Sequence, residues 1–379
     1  MKKIALEEHF GASDPNIVEQ SAEHFTPDAW PARRAALLDI HEARLQQMDD
    51  LEIEKVILSL LAPGIQSLHD RAHAVDWAHR LNDYAADQVA VNPARFASFA
   101  ALPMQDPDAA TEELRRSVKE LGLLGALING FSQVDDENTV VYLDDPRYED
   151  FWATVAELDV PVYLHPRDPL VSKSPQYDGH PWLYGSSWAF SVETGTHALR
   201  LMGSGLFDRH PGVRVILGHL GELLPFNIWR TDHRLAVAPR GLDVEHSFGH
   251  YLRTNFYLTT SGNFRTPALL NAIQEVGADR IMFSADYPFE SMEEPARWFD
   301  AVELNDRDKE KIASGNAARL FGLESGSGAD GTSPAAPIPT VTEAAAQSGS
   351  QPESQPGPRP ATEPAPAGTA PRSPQRIGG

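Results

Sequence analysis

Residues 146–167 read Pro-Arg-Tyr-Glu-Asp-Phe-Trp-Ala-Thr-Val-Ala-Glu-Leu-Asp-Val-Pro-Val-Tyr-Leu-His-Pro-Arg. Residues 146–158 carry an amphipathic helical pattern. Residues 160–165 form a β-like run that Pro166 ends. The same unit recurs outward in both directions. Further β-like runs lie at 3–7, 55–60, 96–101, 125–129, 214–218, 255–260 and 280–285, with helical patterns at 33–48, 73–91, 109–121, 188–206 and 267–276. Strands alternating with helices predict βαβ units and a parallel sheet. Eight runs over this length predict an α/β chain folded as a (β/α)8 TIM barrel. A doubly wound open sheet is the alternative, but no Gly-x-Gly-x-x-Gly follows a strand and no Walker loop occurs.

The barrel pattern spans residues 1–323, and composition changes after it. Residues 325–379 hold 11 of the 30 prolines, no aromatic residue and no Leu. Such a segment cannot bury enough apolar surface to offset its ordering entropy, so 324–379 is expected to be a disordered Pro/Ala/Ser/Gly-rich tail. The formal charge of −22 argues against nucleic acid as a partner. It does not exclude anionic substrates, because a metal or a local Arg reverses the field inside a pocket. The absence of cysteine excludes disulfides, zinc–thiolate sites, iron–sulfur clusters and thiol nucleophiles. No apolar leader follows Met1-Lys2-Lys3 and no run is long enough to span a bilayer, so the expected location is the cytoplasm, with no membrane partner.

In a barrel the active site lies at the C-terminal ends of the strands. The first strand ends Ala5-Leu6-Glu7-Glu8-His9-Phe10, and alternation puts Glu7 and His9 on one face with Glu8 pointing away. The fifth ends in His165 before Pro166, and the eighth ends in Asp286 before Tyr287-Pro288. Singly, each has an ordinary structural reading as a core or turn residue. Together they place two carboxylates and two imidazoles at one barrel mouth, a donor set suited to one Mn2+ or Zn2+ ion. The sixth run leads into Gly218-His219-Leu220-Gly221-Glu222. There Gly218 permits a sharp turn, and His219 and Glu222 share a face if a helix starts at once.

These segments resemble the amidohydrolase superfamily, in its branch of metal-dependent aromatic decarboxylases. The likeness also rests on Asn129-Gly130-Phe131-Ser132-Gln133, Tyr177-Asp178-Gly179-His180-Pro181-Trp182, Thr259-Thr260-Ser261-Gly262-Asn263-Phe264-Arg265-Thr266 and Asp286-Tyr287-Pro288-Phe289-Glu290, and it covers about residues 3–323. It implies that Glu7, His9, His165 and Asp286 bind one divalent ion. It also implies that Phe25, Asn129, His165, His219, Glu222, Arg230 and Phe289 serve the substrate pocket. Phe25 and Phe289 would grip a ring, Asn129 would bond a ring hydroxyl, and Arg230 would pair with Glu222.

The activity implied is reversible, non-oxidative decarboxylation of a 2-hydroxybenzoate, first of all 2,6-dihydroxybenzoate, with no organic cofactor. His9 and Asn129-Gly130 favour that substrate over 2,3-dihydroxybenzoate; salicylate and 5-carboxyvanillate are further options. An aromatic carboxylate has no sink for the C–C bond electrons until its ring carbon is protonated. Asp286 is the expected acid, with His219 and Glu222 favouring the phenolate or keto form. The same donors would also serve a hydrolase of a lactone, ester or amide. A homodimer or homotetramer is expected from the resemblance.

Overall fold

In a computed structural model describing residues 1–12 and 15–323, the first strand, Lys3–Phe10, pairs in parallel with Ile53–Leu60, and that strand pairs with Phe96–Ser98. A second parallel sheet runs in the order Ile281–Met282, Phe256–Thr259, Val215–Leu217, Val162–His165, Ala126–Asn129. A parallel bridge between Ala100 and Ala126 joins the two sheets on one side. On the other, Leu6 N donates to Phe283 O (3.4 Å) and His9 N to Tyr287 O (2.6 Å). Eight parallel strands therefore close in chain order into the expected α/β barrel. The expected tail, 324–379, lies outside the described residues.

Two layers of apolar side chains hold the barrel. Leu6, Ile57, Phe99, Leu127, Tyr163, Ile216 and Met282 fill the interior, and the helix Asn316–Phe321 packs against this layer. Neighbouring positions on the same strands, such as Ala5, Val56, Val162, Leu164, Val215 and Leu217, belong to the larger core that also takes in the surrounding helices. This period-two division is what a sheet covered on both faces requires. No helix among the described residues is long and apolar enough to cross a membrane.

The structure differs from the sequence reading in three instructive places. The helical pattern at 33–48 is two helices, Trp30–Leu38 and Ala43–Asp50. Between them the Asp39 carboxylate accepts the amides of Glu42 (2.9 Å) and Ala43 (2.7 Å), capping the second helix and breaking the first. The eighth strand stops at Met282 rather than reaching residue 285. Phe283 N then donates to Ile312 O at 2.8 Å, and the two amides after it bond side chains instead of a ladder: Ser284 N donates to Thr260 Oγ1 and Ala285 N to a Glu8 oxygen, both at 2.9 Å. Finally, strand one does not alternate simply. Ile4 and Leu6 face the interior, so strict alternation would send Glu8 inward. A bulge, with Glu7 at φ 49° and a register shift between Ala5 and Glu8, resets the phase.

The fourth and fifth strands carry Asn129 and His165 in register. Their approach depends on Gly125, at φ 128°, where a Cβ would lie 2.3 Å from the Pro161 carbonyl oxygen. Gly125→Ala should cost about 1–3 kcal/mol of stability, read as a lowered urea midpoint with an unchanged slope. An unchanged midpoint would show that this pair of strands can separate freely.

Candidate active site

One ligand atom each from Glu7, His9, His165 and Asp286 lies within 4.8 Å of the others, and all four residues are buried. Each comes from a strand end. Glu7 and His9 arrive through the bulge, His165 closes the fifth strand, and Asp286 follows the eighth at φ 72°. His165 Nε2 is 3.2 Å from Glu7 Oε1, and His9 Nε2 is 3.3 Å from Asp286 Oδ1. Yet Glu7 Oε1 and His9 Nε2 are buried without a hydrogen-bond partner. The atoms converge out of hydrogen-bond alignment, on a point between them rather than on each other. Buried polar atoms left this way call for a missing partner, and two carboxylates facing two imidazoles match a divalent cation.

Surrounding groups fix the ligands. Ser59, opposite His9 in the strand register, meets its Nδ1 at 3.1 Å, which turns Nε2 toward the site. Tyr163 OH donates to Glu7 Oε2 and lies 2.8 Å from Thr259 Oγ1. Gly218 makes room, since a Cβ there would lie 2.8 Å from Glu7 Oε2. Burial works to raise the Glu7 carboxyl, but His219, His165 and His9 outweigh it and hold Glu7 well below the usual range. Burial likewise depresses the His9 imidazole, against the pull of Asp286. An ionised carboxylate and a neutral imidazole are the forms that bind metal.

His219 stands beside this cluster. Its Nδ1 is 2.6 Å from Glu222 Oε1, while Nε2 is 3.7 Å from Asp286 Oδ2 and 3.9 Å from Glu7 Oε1. The pair does not sit in a helical turn as the spacing suggested. His219, Leu220, Glu222 and Leu223 all have positive φ, and the helix starts only at Leu224. Gly262 admits the ring, because a Cβ there would come within 2.7 Å of His219 Cδ2. Burial disfavours the imidazolium, but Glu222 and then Glu7 overcome it and hold His219 well above its usual range. His219 thus lies among three carboxylates that favour its protonated form.

A cavity of about 570 Å3 opens onto these groups, lined among others by Phe25, His165, His219, Asp286, Phe289 and Glu290. Phe25 and Phe289 do not form two jaws. They stack on each other at 5.9 Å and 16°, as one wall. A ring held between them would need about 7 Å, twice the carbon contact distance, so one must swing aside to clamp a substrate. Asn129 is buried with Oδ1 unpartnered but does not itself line the cavity. Arg230 is not brought to the site: it is exposed on the helix Leu224–Val237, whose buried face carries Leu224, Pro225 and Ile228 instead. The expected Arg230–Glu222 pairing is absent among the described contacts; Glu222 is buried on His219.

Sequence reasoning passed over Tyr163, Ser59 and Glu290. Tyr163 was within reach, since it lies two residues before His165 on the same strand face. Ser59 meets His9 through strand register, which no local pattern reveals.

The amidohydrolase family model matches residues 23–323. A gamma-resorcylate decarboxylase of Rhizobium sp. (strain MTP-10005) is 52% identical over 324 residues, covering 85% of this chain and 98% of that protein. A crystal structure of 2,6-dihydroxybenzoate decarboxylase complexed with 2,6-dihydroxybenzoate superposes with a TM-score of 0.83 at 52% identity, over 85% of this chain and all of the other. A dihydroxybenzoic acid decarboxylase from Polaromonas sp. JS666, with bound manganese and the inhibitor 2-nitroresorcinol, matches at TM-score 0.83 and 51% identity, over 85% and 97% of the two chains.

Filling the four-donor site should stabilise the fold by mass action. Mn2+ at about 100 times its Kd should add about 2.7 kcal/mol, seen as a raised melting temperature of chelator-stripped protein. Gly218→Ala should weaken that shift by displacing Glu7, and His9→Ala should abolish it. A full shift in His9→Ala would place the metal elsewhere.

Proposed function

The chain belongs to the amidohydrolase family, and from that premise we propose that it decarboxylates 2,6-dihydroxybenzoate to resorcinol and CO2, reversibly and without oxidation. The observation that carries this reading is the convergence of Glu7, His9, His165 and Asp286 at the base of an aromatic-walled cavity, beside the His219–Glu222 pair. The relatives described above support the substrate. Residues 1–323 are the catalytic unit in this reading. The chain uses a divalent ion, and manganese in the Polaromonas relative supports that metal here.

When bound, the ion supplies positive charge to hold and polarise the substrate's carboxylate and ortho oxygen. Asp286 delivers a proton to the ring carbon that carries the carboxylate. The C–C bond then breaks, its electrons restore the aromatic ring, CO2 departs, and Asp286 regains a proton from solvent. His219 donates toward the ring oxygen and stabilises the charge that gathers there, and Glu222 keeps it protonated. Phe25 and Phe289 supply an apolar wall against the ring. The helix Leu224–Val237 exposes Phe226 and Trp229, an apolar face that supports assembly into a homodimer or homotetramer.

Manganese-loaded protein should convert 2,6-dihydroxybenzoate to resorcinol in a chromatographic assay, and a chelator should abolish the product. Asp286→Asn should lower turnover by about 10²–10⁴-fold; near-native turnover in the metal-loaded variant would remove Asp286 from the proton step. Lactone hydrolysis without any resorcinol would overturn the reading itself. The His219–Glu222 pair makes a separate pH prediction. Because Glu222 raises the His219 pKa, Glu222→Gln should move the alkaline limb of the kcat profile to lower pH. An unmoved limb would assign that limb to another group.

A further inference from the structure

The first and eighth strands meet in a seam where no regular ladder forms. Backbone bonds cross it at Leu6 N to Phe283 O and at His9 N to Tyr287 O. Between these two points the eighth strand has already ended, and Asp286 takes a left-handed backbone at φ 72°. A residue with a side chain holds that conformation only where its surroundings impose it.

Glu8 supplies the constraint. It is fully buried, on the side of strand one away from the metal ligands. Its Oε1 accepts the Ala285 amide at 2.9 Å, and its Oε2 accepts the Tyr287 amide at 3.2 Å; the Ser284 hydroxyl lies 3.2 Å from Oε1 but is closer to Leu6 O, at 2.9 Å. The two amides flank Asp286. Arg44 closes the seam from outside: its Nη2 donates to His9 O at 2.5 Å, and its guanidinium lies 4.9 Å from the Tyr287 ring centre. The two amides that meet this buried carboxyl come from one turn, so its oxygens are satisfied by the backbone on either side of Asp286.

We propose that Glu8 is the positioning residue for Asp286, its two carboxyl oxygens gripping the amides on either side so that the Asp286 side chain faces Glu7, His9 and His165. Glu8 touches neither the ligand atoms nor the substrate cavity. It acts through the backbone, and the bulge at Glu7 is what turns it into the seam. The inference rests on Asp286 being a metal ligand and proton donor, as proposed above.

The test compares Glu8→Gln with Ser284→Ala in manganese-loaded protein. Gln keeps the shape but sets an NH2 group against one of the amides, donor to donor, whereas Ser284→Ala removes a hydroxyl beside Glu8 and leaves both amide contacts. Glu8→Gln should lower kcat by about 10–100-fold with little change in KM, the cost of an acid misplaced by about an ångström. It should also broaden the Mn2+ electron paramagnetic resonance spectrum, because one ligand is displaced. Ser284→Ala should keep kcat within about threefold of the parent, since the contacts that define Asp286 remain. Equal damage from both variants, or a native spectrum and native kcat in Glu8→Gln, would overturn the proposal. The spectrum reads the clamp even if the substrate assignment fails, so the two failures are distinguishable. If Glu8→Gln does not fold, hydrogen exchange in the parent decides. The Ala285 and Tyr287 amides should be protected although no strand pairs with them, and exchange as fast as free amides would refute the clamp.

Discussion

Two carboxylates and two imidazoles are forced together in a buried space where they do not hydrogen-bond well to one another. That electrostatic constraint organises the mouth of the barrel. Glu7 and Asp286 repel at this distance unless a cation lies between them or protons neutralise them. The chain accepts strain to bring them there, with left-handed backbone at Glu7, His219, Glu222 and Asp286. It also removes side chains where they would intrude. Gly218 leaves room for the Glu7 carboxylate and Gly262 for the His219 ring. Tyr163, Thr259 and Ser59 then fix orientation from behind.

The same arrangement addresses a problem posed by the charge of the whole chain. At −22 the protein repels anions, yet the proposed substrate is one. In the proposed reading, a divalent ion at the base of the cavity and a protonated His219 beside it would reverse the field where the carboxylate must sit. Glu222, buried and bonded to His219, raises the imidazole's pKa and so favours its charged form. The proposed acid, Asp286, and His219 lie 3.7 Å apart, so in this reading both ends of the reacting group are addressed in one confined space.

Much of this was legible in the sequence because strands announce their ends. His165 before Pro166 and Asp286 before Tyr287-Pro288 each close an apolar run, and a barrel topology brings such ends to one face. The His219–Glu222 contact was also legible, although the turn that makes it is left-handed rather than helical. What stayed hidden depends on long-range pairing. The bulge at Glu7, the early end of the eighth strand and the Ser59 contact all arise where one strand meets another. Local pattern carries no register. Phe25 and Phe289 illustrate the same limit from the other side: both reach the cavity, but only the structure shows them stacked as a single wall. Arg230 stands apart from these groups because the helix that starts at Leu224 turns it outward.

The central claim is that these four side chains hold the metal on which the aromatic acid reacts. The most direct measurement is anomalous diffraction at the manganese edge, from crystals soaked in Mn2+ and 2-nitroresorcinol. The account predicts one strong peak bounded by Glu7, His9, His165 and Asp286, with the aromatic ring in the adjoining cavity. A peak at another site, with these four side chains unligated in protein that still decarboxylates, would contradict it.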